Sequence, residues 1–130
     1  MENNTAMKDH KDIYLIVDDE PDMCWAFQNL LAQNKILSQN ALNGQDALRL
    51  IQKVDFKAVF VDAKLPDIEG LDLAKKIRAI APNLRLIMVS GYFYRDDPAI
   101  RKALEEGLLS DFVSKPFRNQ EILSVLKSVE

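Results

Sequence analysis

Apolar and polar positions alternate along the chain in two rhythms. Short unbroken apolar runs give way to segments whose apolar residues recur every three or four positions. Ile13-Tyr14-Leu15-Ile16-Val17 is the first run, and it breaks on Asp18-Asp19-Glu20. A continuous run of that kind predicts a strand buried on both faces. Pro21 suits the first turn of a helix whose stripe passes through Met23, Phe27, Leu30 and Leu31. Ile36 to Ala41 predicts a weaker strand with the polar interruptions of a sheet edge. Asn43-Gly44 then turns the chain into a helix marked by Ala47, Leu48 and Ile51 and ending near Val54.

Lys57 to Asp62 predicts the central strand, apolar from Ala58 through Val61 and closed by a carboxylate. A loop punctuated by Pro66 and Gly70 follows, then a helix through Leu71, Ala74, Ile77 and Ile80 that Pro82-Asn83 stops. Leu84 to Val89 predicts a fourth strand, ending on Ser90-Gly91. The loop from Tyr92 to Asp97 is rich in aromatics and charge. Pro98 opens a helix carrying Ile100 and Leu104, and Gly107 ends it. Asp111 to Ser114 is a short fifth strand, closed by Lys115-Pro116-Phe117, and the last helix turns Ile122, Val125, Leu126 and Val129 to one side. Strand and helix alternate five times. That order predicts an α/β fold with a doubly wound parallel sheet, because right-handed crossovers place helices on both of its faces.

Composition narrows the field. The 130 residues suit one domain with a real core, and 48% apolar with 28% charged residues is ordinary for a globular chain. A net charge of −3 lends no support to direct binding of nucleic acid or an anionic membrane. No apolar run approaches the roughly 18 residues of a membrane helix. The single cysteine, Cys24, excludes an internal disulfide framework and fits a reducing, cytoplasmic setting as an inert helix residue. His10 is the one histidine. It lies in a polar stretch, residues 1–11, that reads as a flexible leader before a domain over residues 12–130. Histidine metal clusters and Ser-His-Asp triads are thereby excluded.

Candidate chemistry gathers at the strand ends. Asp18 and Asp19 follow the first strand, Asp62 the third, Ser90 the fourth and Lys115 the fifth. Singly, each has a plain explanation: an acidic pair before a helix is commonly a cap, and a serine after a strand a loop hydroxyl. Together, in a flavodoxin-like strand order 2-1-3-4-5, they converge on the crevice where open α/β sheets bind ligands. Three carboxylates in one place repel, and a divalent cation resolves the repulsion. An all-oxygen site with room for water suits Mg2+ better than a caged Ca2+. A hydroxyl and a lysine beside it complete a receptor for a phosphoryl group carried on a carboxylate.

Asp18-Asp19, the stretch from Asp62 through Pro66 to Gly70, Ser90-Gly91 and Lys115-Pro116-Phe117 resemble the receiver domain of bacterial two-component response regulators. The resemblance covers residues 12–129, and Trp25 with Asn43-Gly44 adds a weaker likeness to nitrogen-regulator-like receivers. It implies that Asp62 accepts a phosphoryl group from a phosphohistidine on a sensor histidine kinase or phosphotransfer protein. It implies Mg2+ on Asp19, Asp62 and the backbone carbonyl of Lys64, with Asp18 acting through water. Ser90 matches the switch hydroxyl, Lys115 the lysine that pairs with phosphoryl oxygens, and Phe112 the switch aromatic whose ring turns inward. The peptide bond before Pro116 is typically cis in the family. Output is expected through the face of the fourth helix, fifth strand and fifth helix, with homodimerisation on phosphorylation as one form of it.

Two departures from the family pattern carry expectations. Lys64 and Tyr92 stand two positions beyond the acceptor and the switch hydroxyl, where side chains tune the access of water to the acyl phosphate. Neither orients water well, so self-dephosphorylation is expected to be slow. The stretch from Ser90 to Lys115 is a few residues longer than the norm, which implies a modified partner surface bearing the Tyr92-Phe93-Tyr94 aromatics. Other classes fit less well. A haloacid-dehalogenase-type phosphatase needs a second aspartate where Lys64 stands, and a flavodoxin needs a hydroxyl-rich phosphate loop after the first strand. A phosphorylation-independent interaction module with the receiver fold stays open. So does the choice between a stand-alone receiver and part of a longer regulator or hybrid kinase, since the 130 residues leave no room for an output domain.

Overall fold

A computed structural model describes residues 12–129; the expected leader over residues 1–11, with His10, lies outside them. The chain runs β1 (Ile13–Val17), α1 (Pro21–Gln33), β2 (Leu37–Ala41), α2 (Gly44–Lys53) and β3 (Ala58–Asp62). It continues through α3 (Gly70–Ile80), β4 (Arg85–Ser90), α4 (Pro98–Glu105), β5 (Asp111–Ser114) and α5 (Asn119–Val129). The five strands form one parallel sheet in the order β2-β1-β3-β4-β5. This is the flavodoxin-like arrangement expected from the alternation of strand and helix.

The unbroken apolar runs have a direct cause. Leu15 and Val17 of β1, with Val59 and Val61 of β3, pack against α2, α3 and α4 through Ala47, Ile51, Leu73, Ile77 and Ile100. Their neighbours Tyr14, Ile16 and Phe60 point the other way, onto Phe27 and Leu31 of α1 and Ile122 and Leu126 of α5. Successive strand residues face opposite sides, so a sheet covered twice has no place for a polar residue in its middle strands. Phe60 packs against Phe27 with ring centroids 4.6 Å apart and planes tilted by 49°, and burying one such side chain contributes about 1.5–3 kcal/mol. Only β2 is interrupted by polar residues. It lies at the sheet edge, and its Leu37 is exposed.

Local signals set the helix starts. Pro21 occupies the first turn of α1, the Asn43 side chain accepts the Asp46 amide of α2 at 2.8 Å, and Asp97 accepts the Ala99 amide of α4 at 3.0 Å. Some stripes are shifted from expectation. In α3 the buried set is Gly70, Leu73, Ala74 and Ile77, a clean three-and-four spacing, while Leu71 is half-buried and Ile80 exposed. In α1, Cys24 takes the inward place ahead of Phe27 and Leu31, Met23 is half-buried, and Trp25 is 68% exposed. Both stripes are selected by how the helix lies on the sheet, because neighbouring apolar residues point about 100° apart around a helix.

Gly70 shows how tightly the loop after β3 folds back. A Cβ there would run into the Asp62 carbonyl oxygen and lie 2.9 Å from Ala63 Cα, and neither backbone atom can yield cheaply. Gly70→Ala is therefore expected to lower stability by roughly 1–3 kcal/mol, read as a reduced urea midpoint. An unchanged midpoint would show that the loop has slack.

Candidate functional site

The sheet register builds the site. Val17 pairs with Val61, so Asp18 and Asp62 leave adjacent strands at one level, and Ser90 pairs with Ser114, which puts Lys115 just beyond Ser90. Asp18, Asp19 and Asp62 each offer a carboxylate oxygen, and the three oxygens lie within 4.8 Å of one another. The Lys115 ammonium crosses from β5 to meet them, 2.8 Å from Asp18 Oδ2 and 3.5 Å from Asp62 Oδ1. The Lys115–Pro116 peptide bond is cis, as the resemblance led one to expect, and the Lys115 amide donates to the Ser90 carbonyl at 2.9 Å.

Asp18 is almost fully buried and is held on several sides. Its Oδ1 accepts the Glu20 amide at 2.9 Å, and its own carbonyl accepts the Cys24 thiol at 3.4 Å. Asp62 Oδ1 accepts the Ala63 amide at 2.9 Å. Beneath the carboxylates lies an apolar floor of Met23, Phe27, Phe60 and Val89. That floor explains the electrostatics. Burial pushes the Asp62 carboxyl above the ordinary aspartate range, Lys115 opposes the shift, and the charge of Asp18 adds to it. For Lys115, burial works against the charged form, but the hydrogen bond and charge of Asp18, with Asp62 behind them, outweigh it and the net shift is upward. Three carboxylates against one ammonium leave an excess of negative charge. An all-oxygen donor set with that excess fits a hard divalent cation.

The structure does not draw every anticipated residue into this group. Ser90 is fully buried, and its Oγ accepts the amides of Tyr92 at 2.8 Å and Phe93 at 3.2 Å, shaping its own loop. The Phe112 ring is buried with Met88, Ile100 and Ala103. Its carbonyl accepts Arg95 Nη2 at 3.2 Å, and the same guanidinium bridges to Asp111. Lys64 is exposed. Its ammonium lies 3.0 Å from Glu69 and 4.2 Å above the centre of the Tyr92 ring. The apolar floor and this cation–aromatic contact were not read from sequence. The floor looked like ordinary core, and the contact joins two loops with no periodicity to reveal it.

The sequence matches the response regulator receiver domain family over residues 14–127, and the chain belongs to that family, the signalling module of two-component systems. Among its relatives, response regulator protein PilR of Pseudomonas aeruginosa is 34% identical over 102 residues, which is 78% of this chain and 22% of PilR. Sporulation initiation phosphotransferase F of Bacillus subtilis is 30% identical over 113 residues, 87% of this chain and 89% of that protein. Among solved structures, a CheY-like receiver domain from Methylobacillus flagellatus superposes with a TM-score of 0.80 at 27% identity, covering 92% of this chain and 98% of that one. Response regulator TrrA of Thermotoga maritima, in complex with Mg2+ and BeF, gives a TM-score of 0.79 at 25% identity, covering 92% and 99%. No helix among the described residues is long and apolar enough to cross a membrane.

A stability prediction follows from Asp62. A carboxyl whose folded-state pKa is raised stabilises the fold fully at acid pH and loses that contribution as pH rises through the folded value. Asp62→Asn has no charge to desolvate. Without divalent cations it is expected to be more stable than the parent at neutral pH, with the gap closing as pH falls through the raised folded value and closed below the ordinary aspartate range. Urea unfolding at both pH values checks this, and an asparagine variant less stable at neutral pH would contradict it.

Proposed function

We propose that Asp62 is the phosphoacceptor of a two-component switch. The observation that carries the reading is the Lys115 ammonium spanning Asp18 and Asp62 beside a third carboxylate, at the carboxyl ends of β1 and β3. Asp62 attacks the phosphorus of a phosphohistidine on a sensor histidine kinase or phosphotransfer protein; the P–N bond breaks as the O–P bond forms. Asp19, Asp62 and the Lys64 backbone carbonyl would hold Mg2+, with Asp18 acting through water; the bound ion neutralises charge on the transferring phosphoryl group. Lys115 leaves its carboxylate contacts to pair with phosphoryl oxygens. Ser90 gives up the Tyr92 and Phe93 amides to hydrogen-bond the phosphoryl group through its hydroxyl, and Phe112 responds from the adjacent strand β5, on the face of the sheet that Ser90 shares. The Mg2+ and BeF complex of TrrA supports the cation and the phosphoryl position.

Output runs through α4, β5 and α5, to an attached domain, a separate partner or a second copy. Tyr92 and Tyr94 are exposed beside that face, while Phe93 is half-buried against the core, so the surface presents two rings rather than three. The protein turns over no diffusible substrate; its one hydrolytic step is loss of its own phosphoryl group. Incubation with Mg2+ and acetyl phosphate is expected to add one phosphoryl mass, abolished by EDTA and by Asp62→Asn. No adduct on the parent protein would return the reading to a phosphorylation-independent interaction module.

The lifetime of the adduct tests the loop residues. Lys64 is held by Glu69 and Tyr92, so neither side chain is free to orient an attacking water. The phosphoryl group is expected to persist well beyond seconds, and Lys64→Asn combined with Tyr92→Ala to shorten its life several-fold, measured by intact mass over time. Decay of the parent adduct within seconds would refute this.

A further inference from the structure

We propose that Asp67 is a positioning residue for the carboxylate site, fastening the loop that leaves Asp62 to the first turn of α2; the proposal rests on the Mg2+ reading given above. The loop over residues 63–70 is closed on itself. Gly70 N donates to the Ala63 carbonyl at 2.7 Å, Leu65 N to the Ile68 carbonyl at 3.3 Å, and Lys64 pairs with Glu69 in an antiparallel bridge. These bonds fix the shape of a small flap hinged on the end of β3. Leu65, buried in the core with Ile68 packed against it, anchors the flap on its inner side. Asp67 sits at the tip and reaches across 23 and 22 residues of sequence: Oδ1 accepts the Gly44 amide at 2.8 Å and Oδ2 the Gln45 amide at 2.9 Å.

The receiving end is well matched. The first amides of a helix have no partner within it and attract a negative group. Asn43 satisfies the Asp46 amide, and Asp67 takes the two before it. Gly44 is what permits the approach, since a Cβ there would collide with the Ile68 side chain of the flap. The two amides, Gly44 foremost, hold the Asp67 carboxyl below its ordinary range, so the clamp is a charged one. Lys64, whose carbonyl is assigned to the cation, lies between the hinge at Ala63 and the clamp at Asp67. The clamp at Asp67 and the buried Leu65 beside Lys64 therefore set together where that carbonyl stands relative to Asp62. Outer groups that orient metal ligands commonly change affinity as strongly as some ligands do.

The test titrates Mg2+ alone into the parent protein, Asp67→Asn, Asp67→Ala and Asp19→Asn, following the backbone amide resonances of Ala63 and Lys64, with thermal melts in parallel. Asp67→Ala is expected to fold and to bind Mg2+ roughly tenfold more weakly. Asp67→Asn, which keeps one acceptor oxygen, should fall in between, and Asp19→Asn should lose binding. Should Asp67→Ala fail to fold, Asp67→Asn carries the comparison. A lowered melting temperature with parental Mg2+ affinity would make Asp67 a purely structural cap and overturn the proposal, while the loss in Asp19→Asn would leave the site reading intact. A parent protein indifferent to Mg2+ would overturn the site reading and this proposal with it.

Discussion

The constraint on which the molecule turns is like charge held together over an apolar floor. Strand register brings Asp18 and Asp62 to one level, Asp19 adds a third carboxylate, and Phe27 and Phe60 deny them water from below. Nothing in a folding chain favours that arrangement for its own sake, because each buried carboxylate costs free energy unless paired. Lys115 offsets part of the cost and cannot offset all of it. What remains is an unmet demand for positive charge at the carboxyl ends of β1 and β3. β1 and β3, covered on both faces and packed without polar interruption, are rigid enough to hold the demand in place.

The loops are built to a different rule from the strands. They carry the exposed residues Trp25, Tyr92 and Tyr94 nearby or within them, and their bonds are mostly local turns and charged contacts. Movement at the site has therefore to occur in the loops, at small cost, while the sheet stays fixed. The loop after β3 is restrained by its own closure and by α2; the loop after β4 is restrained by the Ser90 oxygen and by Arg95 reaching to β5. The two meet where the Lys64 ammonium lies over the Tyr92 ring.

Much of this was legible in the sequence because it depends on local rules. Apolar runs that end on Asp18, Asp62, Ser90 and Lys115 state both the strands and the residues at their ends, and parallel crossovers bring those ends to one edge. Helix phase was less legible. Whether Leu71 or Leu73, or Met23 or Cys24, faces the core is decided by how the helix lies on the sheet, and neighbouring apolar residues point about 100° apart around it. Contacts between loops were not legible at all. Lys64 with Tyr92 and Asp67 with Gly44 join residues more than twenty apart through side chains, with no repeating pattern to announce them.

Ser90 and Phe112 show how the switch would be arranged on one face of the sheet, since Phe112 pairs with Met88 and Ser90 lies two residues beyond Met88 on the same strand. Ser90 lies at the end of β4, one residue past the Val89 that pairs with Asp62, and its oxygen is occupied by its own loop. Phe112 pairs with Met88 across the β4–β5 ladder and is already packed inward among Met88, Ile100 and Ala103. An inward ring thus coexists with a hydroxyl that has not left its turn. They are linked through the backbone of β4 and through Arg95, which holds the Phe112 carbonyl from the loop that Ser90 shapes. A phosphoryl group that draws Ser90 away from the Tyr92 and Phe93 amides would then act by loosening that loop and what it holds on β5, and the response of α4 and α5 would be a shift in populations rather than a rigid displacement.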